Sequence, residues 1–332
     1  MPTISGTAFF ILVGSSFGLL LGSAVALWLY VPFGWIVLSS YVVWAVFLDQ
    51  APYNGRGRIF LFLRFNWLWQ FAKGYFAHTL RQESELDPSQ KHLFVAHPHG
   101  VIALGTWLVF VRPLTRIAKH LRQSDGGGDS IYFLRKNPNL QLSTATVGLN
   151  FLLPFWRDLL LALGFVDASY ASLKAVLAQN RSVCLLVGGS QEALEAHPNT
   201  NRLVLDKRRG FIKLALETGA KVVPVYTFGE TNMYTQMANP PGSWLRSIQD
   251  ALVKSLTIAT PILTSGPLPK STPLLTVVGP ALDFPHISAP SPGDIAKYHA
   301  TYKVALQALF DKHKHDYYTP DELKSADLVI FA

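Results

Sequence analysis

Two imidazoles in one tight turn are the first chemistry the chain offers: His97-Pro98-His99-Gly100 is entered from Leu93-Phe94-Val95-Ala96 and left through Val101-Ile102-Ala103-Leu104. Apolar runs on both sides of a polar tip predict a buried strand ending in a turn. Pro98 fixes its own φ and disfavours the α region for His97, while Gly100 can take a backbone conformation closed to other residues. Neutral imidazole accepts a proton from a hydroxyl near physiological pH, which makes His99 a candidate general base with His97 beside it. The competing reading is a turn whose histidines only cap backbone groups.

A second stretch repeats that grammar. Ser182-Val183-Cys184-Leu185-Leu186-Val187 runs into Gly188-Gly189-Ser190-Gln191-Glu192. The two glycines allow backbone to approach a ligand closely, and a carboxylate at Glu192 could orient an imidazole or accept a bond from a substrate hydroxyl. Its plainer role is that of an acid favoured by a helix N-terminus. Arg208-Arg209-Gly210-Phe211 sets two guanidinium groups near a helix start, suited to phosphate, or else a solvated charge run. Ser190 lacks the final glycine of a nucleophile elbow, so a serine lipase or esterase is the weaker reading. Cys184, the only cysteine, lies inside an apolar run and reads as a core residue; it excludes an internal disulfide and fits a reducing compartment.

The chain has 332 residues, enough for one large domain or two modest ones. Only 15% are charged against 49% hydrophobic, where a soluble enzyme carries about a quarter charged, so membrane contact is expected. The net charge of +8 favours anionic headgroups or a polyanionic co-substrate; the basic residues are scattered without a nucleic-acid motif, so no nucleic-acid partner is expected. From Ala8 to Leu48 no residue is charged, and Tyr30-Val31-Pro32-Phe33-Gly34 breaks the run near its middle. This predicts a transmembrane or re-entrant helical hairpin, Ala8–Leu29 and Phe33–Leu48, with Trp28, Tyr30 and Trp35 at interfacial depth. Arg56, Arg58 and Arg64 follow it and put the remainder on the cytosolic side.

The expected division is a membrane hairpin in 1–50, a juxtamembrane segment in 51–90 and a catalytic domain in 91–332. Ile59–Leu80, rich in Phe and Trp, reads either as an amphipathic surface helix or as an ordinary core helix. Beyond the His-Pro-His-Gly turn, helices are predicted at Val101–Lys119, Tyr170–Gln179, Lys207–Thr218 and from Tyr298 onward. Strands are predicted at Ser130–Leu134, Ser182–Val187, Ala220–Phe228 and Leu274–Val278, and Ser124–Asp129 reads as a flexible loop. Strands alternating with helices indicate an α/β fold, a mixed sheet flanked by helices with its chemistry at the carboxyl ends of the strands.

Five segments now stand in one order: His97-Pro98-His99-Gly100, Gly188-Gly189-Ser190-Gln191-Glu192-Ala193-Leu194, Arg208-Arg209-Gly210-Phe211-Ile212-Lys213-Leu214-Ala215, Val223-Pro224-Val225-Tyr226-Thr227-Phe228-Gly229-Glu230 and Thr276-Val277-Val278-Gly279-Pro280. In that order the chain resembles the type-2 diacylglycerol acyltransferases from about Leu93 to Tyr317. The resemblance implies a glycerolipid-acyltransferase-like fold and transfer of a fatty acyl group from acyl-CoA, as co-substrate, to the hydroxyl of diacylglycerol at the endoplasmic reticulum and lipid-droplet surface, with no metal or cofactor. Monoacylglycerol or a long-chain alcohol are alternative acceptors, and a non-catalytic lipid-binding scaffold is the reading from outside enzymology. A homo-oligomer is compatible with all of these. His99 would be the base, assisted by His97 and Glu192; Arg157, Arg208, Arg209 and Lys213 would meet the CoA phosphates. Pro98, Gly100, Asn150, Gly188 and Gly189 complete the expected substrate-binding set. The wider glycerolipid acyltransferases pair their histidine with an aspartate five positions on, whereas His99 is followed there by Leu104 and His97 by Ile102, so Glu192 is the expected orienting carboxylate. Asp158 stands where the resembled segment carries glutamate.

Overall fold

The computed structural model describes residues 3–60, 75–110, 133–137 and 139–331. The chain opens with α1 (Ile4–Tyr30) and α2 (Gly34–Val43), the latter continued by a π turn at Trp44–Leu48. Thr3 caps α1 through its side chain, and Val31–Phe33 separate the two helices. Gly6–Tyr30 is long and apolar enough to cross a membrane by length and composition; Gly34–Leu48 is shorter.

After β1 (His78–Gln82) and β2 (His92–His97) come α3 (Leu104–Phe110) and α4 (Phe133–Lys136). Then follow β3 (Leu142–Thr146), α5 (Trp156–Ala162), β4 (Phe165–Asp167), α6 (Tyr170–Ala178), β5 (Ser182–Leu186) and α7 (Gly189–Ala193). The chain closes with β6 (Arg202–Val204), α8 (Gly210–Thr218), β7 (Lys221–Phe228), α9 (Trp244–Leu256), β8 (Leu274–Val278), α10 (Pro292–His313) and β9 (Val329–Phe331).

Seven strands form one mixed sheet in the order β1-β8-β7-β2-β5-β3-β4. β7, β2, β5, β3 and β4 are mutually parallel, and β8 reverses direction against β7 with β1 parallel to it. The carboxyl ends of β2, β3, β5 and β7 therefore share one edge, where the sequence pattern puts the chemistry. β6 and β9 make a separate two-stranded ribbon.

β2 lies at the centre with both faces covered, which is why its sequence is continuously apolar instead of alternating. Leu93 and Val95 join the core made with α6, α8 and α10, whereas Phe94 and Ala96 face Val109, Phe110 and Phe133. Cys184 is buried in this second core, as its apolar neighbours predict, and burial pushes its thiol up. A third core joins Phe9 and Phe10 of α1 to Leu104 and Leu108 of α3 and Leu160 and Leu161 of α5.

Several expectations change. Residues 61–74 of the expected Ile59–Leu80 helix lie outside the described residues, and its far end is not helical but the sheet-edge strand β1, its backbone paired with β8. Ser130–Leu134 is not a strand where it is described, since Phe133 opens α4 and packs as an aromatic anchor on Phe94 and Phe110. Of the helix expected at Val101–Lys119, α3 is described and 111–119 are not; the loop at Ser124–Asp129 is also outside. α8 starts at Gly210, leaving Lys207–Arg209 as a turn closed by Arg208 N–H to the Leu205 carbonyl, 2.9 Å. α10 begins six residues before Tyr298, because Ser291 and Asp294 form a reciprocal capping box with Pro292 in the first turn.

Candidate active site

β2 carries His97 at its end, and the His97–Pro98 peptide is cis. His97 is fully buried: its Nε2 pairs with the Tyr302 hydroxyl of α10 at 3.0 Å, and burial lowers its pKa to about 3. It is a neutral core group that ties the strand end to α10. His99, two residues on, is half-buried at the sheet edge. Its Nδ1 lies 3.0 Å from the Gly100 carbonyl oxygen, which only an N–H can satisfy, so the proton sits on Nδ1 and the lone pair on Nε2. Desolvation holds its pKa below the ordinary histidine value, with the Gly100 bond opposing, so the ring is neutral at pH 7.

The turn is gripped from two sides by buried carboxyl groups. Glu192 of α7 accepts the His99 backbone N–H at Oε1, 2.5 Å, and the Val204 N–H at Oε2, 2.9 Å. It therefore does not orient the imidazole ring, as expected from sequence, but fixes the backbone from which the ring hangs. Gly188 makes this possible, because a β-carbon there would collide with the Glu192 carboxylate. Burial raises Glu192 to about 7, against the two backbone donors and Arg208, which lower it. On the other side, Glu230 follows β7 and accepts the Gly105 and Thr106 backbone N–H groups at 3.2 and 3.3 Å, at the start of α3. Gly100, at φ +58°, lies so close that an added β-carbon would sit 2.7 Å from Glu230 Cγ. Glu230 is raised to about 8, again by burial first.

Glu230 was missed as a site residue although its signal was present: Gly229-Glu230 after a buried strand repeats the grammar of Gly188 to Glu192. Tyr302 had no such signal, being one tyrosine on a long helix. Asn150 lies beyond the carboxyl end of β3 and donates to the Thr146 hydroxyl at 2.9 Å. Ser190 donates to the Thr257 carbonyl at the end of α9, which spends its hydroxyl proton on structure.

The expected cations divide. Arg208 and Arg209 are exposed in the turn before α8, and Arg208 reaches Gln191 of α7 at 3.5 Å. Lys213 sits farther along α8, 3.7 Å from Glu217 and over the Tyr170 ring. Arg157 leaves the set: it is 1% exposed, bonded to Asp49 at 2.7 Å and to the Phe151 carbonyl at 3.0 Å, so its charge is already taken. Asp158 beside it accepts from the Tyr41 hydroxyl of α2. Among the described residues no group of three or more His, Cys, Asp or Glu side chains is placed to hold a metal ion.

The fold and site define an α/β protein with a half-buried imidazole, His99, its basic nitrogen free of the Gly100 bond, held at the carboxyl edge of a mixed sheet. The chain belongs to the diacylglycerol acyltransferase family, whose model matches residues 27–329. It is 37% identical over 295 residues to diacylglycerol O-acyltransferase 2 of Dictyostelium discoideum, covering 86% of this chain and 84% of that one. Similarity to diacylglycerol O-acyltransferase 2B of Umbelopsis ramanniana is 33% over 313 residues, 90% and 84% of the two chains. The 2-acylglycerol O-acyltransferase 1 of Mus musculus is 34% identical over 304 residues, 86% of this chain and 84% of its own.

Proposed function

We propose that this protein transfers a fatty acyl group from acyl-CoA to the free hydroxyl of diacylglycerol, forming triacylglycerol. The observation that carries the mechanism is His99: neutral, half-buried, its Nδ1 occupied by the Gly100 carbonyl, its backbone locked by Glu192. Nε2 would take the acceptor hydroxyl proton as that oxygen attacks the thioester carbonyl carbon. Backbone N–H groups of the glycine turns would hold the developing oxyanion, and collapse would expel the CoA thiolate, which recovers the proton from the imidazolium. No acyl-enzyme is formed, consistent with the engaged Ser190 and buried Cys184. Arg208 and Arg209 would meet the CoA phosphates, with Lys213 behind them.

Both lipid substrates partition into membranes, and α1 with α2 would form the hairpin that keeps the site there. The expected setting is the endoplasmic reticulum and lipid-droplet surface, the sheet on the cytosolic side. Relatives named for diacylglycerol and for 2-acylglycerol stand at similar identity, so acceptor choice is the point to measure. Microsomes expressing the chain, given labelled acyl-CoA and diacylglycerol, monoacylglycerol, long-chain alcohol or retinol in turn, should make triacylglycerol fastest. A faster rate on any other acceptor would reassign the substrate, and no acyl transfer to any of them would overturn the activity.

A further inference from the structure

α9 buries Leu245 together with two polar side chains, Arg246 and Gln249, and leaves Trp244 and Ile248 exposed. Arg246 is buried and pairs with Glu195 at 2.7 Å and Asp250 at 2.8 Å. Gln249, also buried, accepts from Asn239 and donates to the Thr260 carbonyl, both at 2.9 Å. Its exposed positions fall at helical spacing into Trp244, Ile248, Ala251 and Ser255 on one lane and Ser247, Asp250 and Lys254 on the other, with Leu256 exposed at the end of the helix. Trp244 is 73% exposed and Ile248 52%. Ser243 caps the helix, so its start is fixed and Trp244 is held outward at its first turn.

The surroundings say what covers this lane. Met233 and Tyr234, where the excursion carrying α9 leaves the sheet, share a core with Phe9 and Phe10 of α1, and Leu263 and Leu268 on its return pack against the same core. The excursion thus stands on the helix with the length and composition to cross a membrane, whose own outer positions Ile11, Leu12 and Leu19 are exposed. At its other end α9 meets α7 through Ser190 and Thr257, two residues from Glu192. A lane one apolar residue wide, led by a tryptophan and bordered by a lysine, suits a fluid interface, where the indole settles at headgroup level and the ammonium meets phosphate.

We propose that the Trp244–Ile248–Ala251 lane of α9 lies in the headgroup layer of the bilayer that receives α1, an in-plane anchor that holds the His99 edge of the sheet at the lipid surface. The inference rests on the membrane reading of α1. Its test uses the full chain in phosphatidylcholine and phosphatidylserine vesicles, with Ile248→Cys, Lys254→Cys or Leu19→Cys labelled by an environment-sensitive fluorophore; Cys184 is fully buried and leaves the introduced thiol to react. The label at 248 should shift to the blue and be quenched by doxyl-lipid several-fold more strongly than the label at 254. An unshifted label at 248 overturns the proposal, and so does a shifted label that doxyl-lipid does not quench, which marks cover by protein. If the label at 19 is quenched while that at 248 is not, only the anchor fails; if neither is quenched, the membrane reading of α1 fails with it.

Discussion

His99 and His97 are two positions apart and have opposite fates. One sits at the edge with its lone pair directed away from the turn, and the other is sealed against Tyr302. His99→Ala is expected to lower turnover by roughly two to four decades with an unchanged melting temperature, the loss typical of a general base. Normal turnover by folded His99→Ala protein would end the mechanism. Because the His99 pKa lies below its ordinary value, the acid limb of kcat/KM should fall below pH 6.5 and activity should be flat through neutrality. The buried titratable groups also set stability. His78 and His97, each lowered to about 3, cost stability as pH falls below about 6.5, because the unfolded chain binds protons they refuse. Glu192 and Glu230, raised to about 7 and 8, favour the fold at low pH, and that stability is lost as pH rises from about 4.5 through those values. Each group contributes about 1.4 kcal/mol per pH unit within its window. The lowered histidines, His92, His99 and His299 among them, oppose the two glutamates over this range, so the informative comparison is between variants: in scanning fluorimetry Glu230→Gln should lose less stability than the unmodified chain as pH rises from 5.5 to 8. An identical pH dependence in the two proteins would mean that Glu230 is ionised throughout.

The elements around the site are joined by two kinds of tie. Glu192 of α7 holds the turn by accepting the His99 backbone N–H, and Glu230 ties the start of α3 beside it by accepting two backbone N–H groups, while α5 holds the N-terminal helices through charge. Asp49 collects Arg157 at 2.7 Å and Arg58 just beyond α2, and both guanidinium groups lie over the Trp44 ring at 5.6 and 5.0 Å. Asp49→Asn leaves the buried Arg157 charge with only Asp158, 3.8 Å away and partly exposed, as a counter-ion, and a full break of a buried pair costs about 3–5 kcal/mol, the upper bound here. Its melting temperature should drop while the KM for acyl-CoA in the folded fraction stays put. Unchanged stability with a raised acyl-CoA KM would return Arg157 to the substrate set. Charge reversal at Arg208 has the opposite signature, since that side chain is exposed and reaches the Gln191 side chain at 3.5 Å. Arg208→Glu should raise the apparent KM for acyl-CoA, most steeply at low salt, and leave the acceptor KM alone. A raised acceptor KM with unchanged acyl-CoA dependence would reassign the turn before α8.

At the scale of the whole molecule, the proposed hairpin of α1 and α2 would return the chain to its starting side and put both ends in the cytosol, where acyl-CoA is found. Protease should reach both ends in sealed microsomes, and a glycosylation acceptor near Lys270 should stay unmodified; lumenal modification there would remove the proposed route of acyl-CoA entry. Much of this was already written in local order. The charge-free run Ala8–Leu48, the buried strands before His97 and Gly188, the core position of Cys184 and the site at the carboxyl edge each follow from neighbours in sequence, because periodicity and turn residues act over a few positions. What each polar group does there depends on partners far along the chain. Glu192 meets the His99 backbone across 93 positions, Tyr302 meets His97 across 205, and Asp49 claims Arg157 across 108. A carboxylate cannot show in sequence whether it will face a ring, a backbone N–H or a guanidinium. Packing makes that choice, since a buried charge or donor must find whichever partner the fold brings within hydrogen-bond reach.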